Sequence, residues 1–383
     1  MRVTDDVRYV GVNDHALDLF EGLYHIPNGV AYNSYMIMDE KVTVLDAVDA
    51  HFGEAWLDNV RRELGDRQPD YLVVHHMEPD HSASVALFMR AFPQAVVVAS
   101  AKAFPMMKAF FGEDFAARRL IVKEGDRLAL GKHTLQFLSA PMVHWPEVIM
   151  SYDLEDHTLY SADGFGKFGA LDAEEPWADE ARRYYFGIVG KYGAQVQSVL
   201  KKAAALDIRA ICPLHGPVLQ GDDLAEALRL YGLWSSYQAE KKAVMIAYTS
   251  VYGNTRRAAQ MLAETLQAKE VEVTLTDLGR DDLSQAVADA FRCDRLVLAS
   301  TTYNADVFPP MKQFLHWLVE RGYRGRRVGL IENGSWAPMA AKVMRGMLEG
   351  CKELTILEPV VTITSALQAN STVQLEKLAE ALL

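Results

Sequence analysis

The segment His75-His76-Met77-Glu78-Pro79-Asp80-His81 holds the densest group of reactive side chains in the sequence. Residues 76–81 alone bring two imidazoles and two carboxylates, enough to surround much of a dinuclear metal centre. Packing does not explain such a density of ligands in a proline-bearing loop. The plain alternative is a solvated polar loop. Three later positions argue against it. His144 lies in the otherwise apolar stretch Pro141-Met142-Val143-His144-Trp145-Pro146. Asp163 lies in Ser161-Ala162-Asp163-Gly164-Phe165-Gly166, and His215 in Cys212-Pro213-Leu214-His215-Gly216-Pro217, each just after an apolar run. A lone histidine among apolar residues is more often a hydrogen-bonded core residue than a ligand. Three ligand types at strand ends, following one ligand-rich loop, form a pattern. Imidazole and carboxylate without thiolate suit iron, manganese or zinc. His75, ahead of the motif, is expected at the surface.

A second constellation opens the last third of the chain. Thr249-Ser250-Val251-Tyr252-Gly253-Asn254-Thr255 links an apolar run to a helical pattern. Hydroxyl and amide side chains with a glycine at a helix N-terminus make a phosphate cradle. No P-loop lysine and no G-x-G-x-x-G are present, so neither a nucleoside triphosphate nor a dinucleotide is favoured. A monophosphate held without a cationic side chain fits FMN. Two further loops, Ser300-Thr301-Thr302-Tyr303-Asn304-Ala305-Asp306 and Glu332-Asn333-Gly334-Ser335-Trp336-Ala337-Pro338, follow later strands. Tyr303 and Trp336 there could stack on a flavin ring or serve only as loop anchors.

The elements that must position these groups divide into two rhythms. Early apolar runs come in pairs: 35–38 and 42–45 flank the polar turn Asp39-Glu40-Lys41, as in a hairpin. Runs at 71–74, 95–99, 135–138, 148–152 and 158–160 follow, with helical spacing at 54–64 and 84–91. Stacked sheets with helices outside are expected. Beyond Lys241-Lys242, strands at 243–248, 271–275, 295–300, 327–331 and 355–361 alternate with helices at 255–268, 283–290, 310–321 and 342–349. Ser371-Thr372 is expected to cap a final helix carrying Leu375, Leu378 and Leu382. That alternation predicts a doubly wound parallel sheet. The domains expected are 1–242 and 243–383, joined by a charged helical segment at 222–242.

Composition excludes other classes. The 383 residues suit two domains, and 50% hydrophobic with 23% charged residues is a globular balance. No eighteen-residue apolar run occurs, and Met1-Arg2-Val3-Thr4-Asp5-Asp6 lacks a signal-peptide core. Cys212, Cys293 and Cys351 lie far apart without a C-x-x-C pair, which excludes a disulfide framework and a built-in iron–sulfur or cysteine zinc site. A net charge of −12 disfavours nucleic acid and anionic lipid. A cytoplasmic protein with neither partner is expected.

The motif H-x-E-x-D-H, a histidine 63 positions on (81 to 144), an aspartate 19 further (144 to 163) and a P-x-H-G loop resemble the flavodiiron proteins, also called A-type flavoproteins. The resemblance covers nearly the whole chain and is strongest at the metal loop. It implies a metallo-β-lactamase-like αββα sandwich followed by a flavodoxin-like domain. It assigns His76, Glu78 and His144 to one iron, Asp80, His81 and His215 to the other, and Asp163 as bridge. Thr249 to Thr255, Thr301 to Asn304 and Asn333 to Trp336 would bind FMN. Tyr192 resembles an aromatic that lines the family's substrate pocket. Glu21 stands in best register with a pocket histidine upstream of Gly29-Val30-Ala31-Tyr32-Asn33, with His25 the nearest histidine. Thr301 replaces a common proline. Hydrolases of this fold carry a histidine where this chain has Glu78, so redox chemistry is implied. The expected activity is reduction of O2 to water, of NO to N2O, or both. Electrons would reach two non-haem irons through FMN from a separate donor, rubredoxin by resemblance, in a head-to-tail homodimer or dimer of dimers. The competing readings are a zinc hydrolase with an appended flavodoxin-like domain, and an electron-transfer flavoprotein with a structural metal domain.

Overall fold

In a computed structural model that describes residues 3–383, the chain divides after Gly232 into two compact units. The first is built on two six-stranded sheets. One runs in the order Val7–Tyr9, Tyr35–Ile37, Thr43–Leu45, Tyr71–Val74, Val96–Ser100 and Arg119–Val122. The other runs Arg127–Ala129, Thr134–Ser139, Ile149–Asp153, Thr158–Tyr160, Ala210–Cys212 and Leu219–Gln220. The expected hairpin closes with Tyr35 opposite Leu45 and Ile37 opposite Thr43. Alternate residues of the two sheets meet in one core, where Ile37, Leu45, Val73 and Val98 face Leu135, Phe137, Ile149 and Tyr160. The helix Gly53–Leu64 buries Trp56, Leu57, Val60 and Leu64, the stripe that a 3.6-residue period predicts. Edge strand Arg119–Val122 escapes the sequence pattern because Leu120 and Ile121 face outward, 38% and 49% exposed.

One buried pair joins the start of this unit to its second sheet. The imidazole of His133 has no solvent exposure, lies 2.7 Å from Asp153 Oδ2 through Nδ1 and 3.3 Å from Asp6 Oδ2 through Nε2. Burial alone would lower its pKa; the hydrogen bonds and charges of Asp153 and Asp6 outweigh that and raise it to about 9 from 6.5. A raised folded-state pKa gives stability that is complete below the unfolded value and lost as pH rises through the folded one. Stability of this unit is therefore expected to fall between pH 6.5 and about 9. Screening at the part-exposed Asp6 limits the loss to about 1–2 kcal/mol. Urea titrations across that range check it, and His133→Gln should flatten the dependence. An equal slope in the variant would refute the assignment.

The second unit is a parallel sheet in the order Val273–Asp277, Lys241–Tyr248, Cys293–Tyr303 and Arg327–Asn333, with Thr355–Ile356 and Val361–Ile363 both along the outer side of the last. The strand order 2-1-3-4-5 is the flavodoxin-like one, and its switch point lies between the first and third strands. Two local expectations need correction. The strand expected over 355–361 is broken into two pieces around Pro359, which has no amide to donate to a ladder. The final helix, Ala369–Leu382, is capped by Gln368; Ser371 sits two residues inside it and its hydroxyl accepts from the Gln368 amide at 2.9 Å. The helical segment expected at 222–242 is the helix Gly221–Ser235, which stops short of the strand Lys241–Tyr248.

Candidate metal centre and flavin cavity

Strand ends deliver the seven metal-type side chains to one point. Tyr71–Val74 leads directly into His76 and Glu78, and the short helix Pro79–Ser82 carries Asp80 and His81. His144 comes from the loop entering Ile149–Asp153, Asp163 follows Thr158–Tyr160, and His215 follows Ala210–Cys212. All seven positions read from the sequence converge, in two groups: His76, Glu78, His144 and Asp163, and Asp80, His81 and His215.

The distances are those of coordination polyhedra. In the first group, His144 Nε2 lies 3.0 Å from Glu78 Oε2 and 3.4 Å from His76 Nε2. In the second, His81 Nε2 is 3.0 Å from His215 Nε2, and both are 3.3 Å from Asp80 Oδ2. Donor atoms about 2.1 Å from a shared cation stand about 3.0–3.4 Å from one another in octahedral or tetrahedral geometry. Asp163 splits between the groups. Its Oδ2 is 3.1 Å from His144 Nε2 and 3.2 Å from His76 Nε2; its Oδ1 is 3.4 Å from His81 Nε2 and 3.7 Å from His215 Nε2. That is the placement of a bridging carboxylate.

Two metal ions fit these residues. Both oxygens of Asp80 and Oδ1 of Asp163 are buried without a hydrogen-bond donor. A buried anion without a donor is costly, and a cation at this point removes the cost. Burial alone would raise the pKa of Asp163, but the facing imidazoles, His76 foremost, hold it well below the carboxylate range. The Nδ1 of His76 is 2.8 Å from Glu147 Oε1, and that of His215 is 2.8 Å from the Ala31 carbonyl. Each Nδ1–H donates outward, so the Nε2 lone pair points at the centre.

A further layer holds the ligands in place, and part of it was missed in the sequence. His75 is not at the surface: it is 1% exposed, with Nδ1 2.5 Å from Asp46 Oδ2 and Nε2 2.8 Å from Ser151 Oγ. Its backbone amide also donates to Asp46 Oδ1 at 2.7 Å. The imidazole braces the metal loop against both sheets. The Gly29-Val30-Ala31-Tyr32-Asn33 segment acts on His215. Asn33 Nδ2 donates to the carbonyls of Pro213 and Gly216 at 2.9 and 2.7 Å. Gly216 sits at φ +85°, and a Cβ there would come within 2.7 Å of Lys167. Glycine is required at that turn. Glu147 carried no signal beyond lying three residues after His144.

A cavity of about 280 Å³ opens beside Glu78 and Asp80, with Leu17, Leu19, Phe20 and Tyr32 on its walls. Glu21 stands at its rim, at the position where the family resemblance expected a histidine. Burial of its carboxyl and the charge of Glu78 raise its pKa to about 7. His25 is exposed, with Nδ1 on the Asp18 carbonyl, and does not line the cavity. Tyr192 is half-buried at the start of the helix Gly193–Ala203 and is likewise not among the lining residues.

The second unit carries a cavity of about 550 Å³ at the switch point of its sheet, lined by the three loops singled out above. Of the expected residues, Thr249 and Gly253 do not line it. Thr249 is buried beneath, with its hydroxyl 3.0 Å from Ser300 Oγ. Gly253, at φ +89°, precedes the helix Asn254–Gln267 and donates its amide to Ser250 Oγ. Thr302 both lines the cavity and caps the helix Ala340–Leu348, accepting from Met339 and Ala340 amides at 2.9 and 3.2 Å. Ser365, after the fifth strand, was missed; its hydroxyl lies 2.9 Å from Ser335 Oγ and closes the far side. A Cβ on Gly334 would stand 2.9 Å from Pro338 Cα, so only glycine keeps this wall in place. Hydroxyls and amides at a helix start, with Tyr252 and Trp336 93% and 91% exposed on the rim, suit a phosphate and a flat aromatic ring. FMN fits this donor set.

The fold and the two sites define a two-domain metalloflavoprotein. Residues 30–216 match the ODP family of β-lactamases, and residues 245–346 match a flavodoxin domain. A nitric oxide reductase from Moorella thermoacetica is 30% identical over 374 residues, covering 94% of this chain and 92% of that one. The flavodiiron protein of Giardia intestinalis superposes with a TM-score of 0.91 at 27% identity, over 99% of this chain and 96% of that one. The rubredoxin oxygen:oxidoreductase of Desulfovibrio gigas gives 0.92 at 25% identity, over 100% and 97%. The chain belongs to the flavodiiron, or A-type flavoprotein, family.

Proposed function

We propose that this protein is a flavodiiron oxidoreductase that reduces O2 to water, NO to N2O, or both. His76, Glu78 and His144 hold one non-haem iron, Asp80, His81 and His215 the other, and Asp163 bridges them. The loops at Ser250–Thr255, Thr301–Asn304 and Asn333–Trp336 hold FMN. The single observation that carries the reading is the division of Asp163 between two ligand groups, with a carboxylate, Glu78, in the first. Two irons and FMN together supply up to four electrons, enough to take O2 to two waters, while two electrons take two NO to N2O and water.

The residues of the chain set the conditions for that chemistry. Three carboxylates among seven ligands favour the higher oxidation state of a metal over a Lewis-acid zinc pair. Leu17, Leu19 and Phe20 give the cavity beside Glu78 and Asp80 an apolar part that suits a small neutral molecule. The Glu21 carboxyl lies against that of Glu78, and its burial and that neighbouring charge favour its protonated form, which places a proton donor beside the centre. Electrons come from a separate donor; rubredoxin is the class we favour, given the name of the Desulfovibrio relative. A head-to-tail homodimer and a cytoplasmic setting complete the reading. Among the described residues no helix is long and apolar enough to cross a membrane.

The test is gas consumption by the reduced, iron-loaded protein. O2 or NO should disappear with water or N2O as product and without released peroxide. His81→Asn should abolish it. Two bound zincs with thioester or lactam hydrolysis, and no gas consumption, would replace this reading by the hydrolase. Normal FMN reduction without gas consumption would leave an electron-transfer flavoprotein.

A further inference from the structure

The two ligand groups have the same first-layer chemistry, two imidazoles and one carboxylate each, with Asp163 shared. Behind that layer they differ. His76 is fully buried, and its Nδ1–H donates to Glu147, a carboxylate only 2% exposed. His215 donates instead to the neutral carbonyl of Ala31, and His81 Nδ1 is buried with no hydrogen-bond partner. Among the described residues, Glu147 is the only acid bonded to the outer nitrogen of any of the four imidazoles.

We propose that Glu147 is a positioning residue whose charge makes the two metal positions unequal, so that the ion held by His76, Glu78 and His144 is the tighter bound. The proposal rests on the two-metal reading above. A carboxylate behind a metal-bound imidazole draws the Nδ1 proton toward itself and pushes electron density to Nε2, which strengthens the metal–nitrogen bond. Here the effect is large for a specific reason. Glu147 is fixed on both sides: the Ser100 hydroxyl donates to its backbone carbonyl at 2.7 Å, and the Met77 amide donates to its carboxylate at 2.9 Å. Its Oε2 is buried without a donor. The negative charge is therefore met only by His76 and the neutral Met77 amide, and in a dry surrounding it acts strongly on the imidazole. The second position has no such group. It receives only the charge of Asp80 and its share of Asp163.

The geometry also separates charge from structure. Both bonds to Glu147, from His76 Nδ1 and from the Met77 amide, end on the same oxygen, Oε1. A glutamine placed with its carbonyl oxygen there keeps both bonds and removes the charge, its NH2 group taking the place of the unpartnered Oε2. A merely structural role would survive that change.

The experiment is a Co(II) titration of the demetallated, FMN-loaded full chain, read by the cobalt absorption bands in competition with a chelator. The wild type should bind two ions in two resolved steps. Glu147→Gln should weaken the tighter step by about 10–100-fold and leave the other within about twofold. Glu78→Gln should remove the step that Glu147→Gln weakens, and Asp80→Asn the other. Should Glu147→Gln fail to fold, the two ligand variants still test the ordering, because a tighter step that does not depend on Glu78 overturns the proposal. Two steps unchanged in Glu147→Gln, or a tighter step that survives Glu78→Gln, would overturn the proposal while leaving the two-metal reading intact. Fewer than two cobalt ions in the wild type would remove both.

Discussion

Asp163→Ala is expected to yield a folded, flavin-loaded protein that retains at most one metal ion per chain. Consumption of O2 or NO should drop by at least about 100-fold, the upper range for loss of even an outer-layer partner. The reason lies in where the carboxylate stands. Each of its oxygens lies within 3.1–3.7 Å of two imidazole nitrogens, one pair from each ligand group. No other side chain at the centre faces both groups. Without it, two cations would face one another with one fewer anion between them, and Coulomb repulsion at this range in a buried site exceeds what the remaining ligands supply. Folding should survive, because the backbone around residue 163 is held by its own bonds. Ser161 Oγ donates to the Gly164 carbonyl at 2.6 Å, and the Leu214 amide donates to the Ala162 carbonyl at 2.9 Å. Metal analysis after gel filtration decides the matter. Two ions retained, with activity within tenfold of wild type, would refute the bridging role.

The second large effect is expected at a residue that touches no metal. Asn33→Ala should lower the stability of the first unit by about 2–4 kcal/mol, since the buried Gly216 carbonyl loses its donor and that of Pro213 keeps only the Tyr35 hydroxyl, at 3.1 Å. For a domain of this size that corresponds to roughly 5–15 °C in melting temperature. The carbonyls belong to Pro213 and Gly216, on either side of His215. Asn33 is fully buried, so water cannot replace its amide without opening the loop. Metal content should accordingly fall toward one ion per chain, the loss falling on the position that His215 serves. Thermal scans with parallel metal analysis test this. A variant that melts earlier yet keeps both ions would confine Asn33 to stability alone.

How far the sequence could be read depends on what kind of signal each residue carries. Ligands were legible because they are rare residue types placed at the carboxyl ends of apolar runs, and a strand end fixes position with little freedom. Six of the seven metal-type residues follow that rule; His144, in the loop entering Ile149–Asp153, was legible only from its spacing to the others. The flavin loops were legible for the same reason, since three of them leave parallel strands on one edge of the sheet. What failed depends on partners distant in sequence. His75 reads as one more polar residue in a polar loop until Asp46 and Ser151 close around it. Glu147 reads as surface charge until His76 arrives from 71 positions away. Thr249 looked like part of the cradle because it is adjacent to it, yet the alternation of a strand turns its side chain under the sheet toward Ser300. Ser365 was hidden by the break at Pro359, which displaced the last strand relative to its pattern.

Every side chain of the metal centre lies between residues 76 and 215, whereas the walls of the flavin cavity lie between 250 and 365. During synthesis the chain emerges from its N-terminus, and domains fold as units in that order. All the metal ligands are therefore available before the first residue of the flavin cavity has been made. Maturation can take in the two cofactors at separate times, metal first. A ribosome stalled well past residue 232 should already carry a domain able to capture its ions.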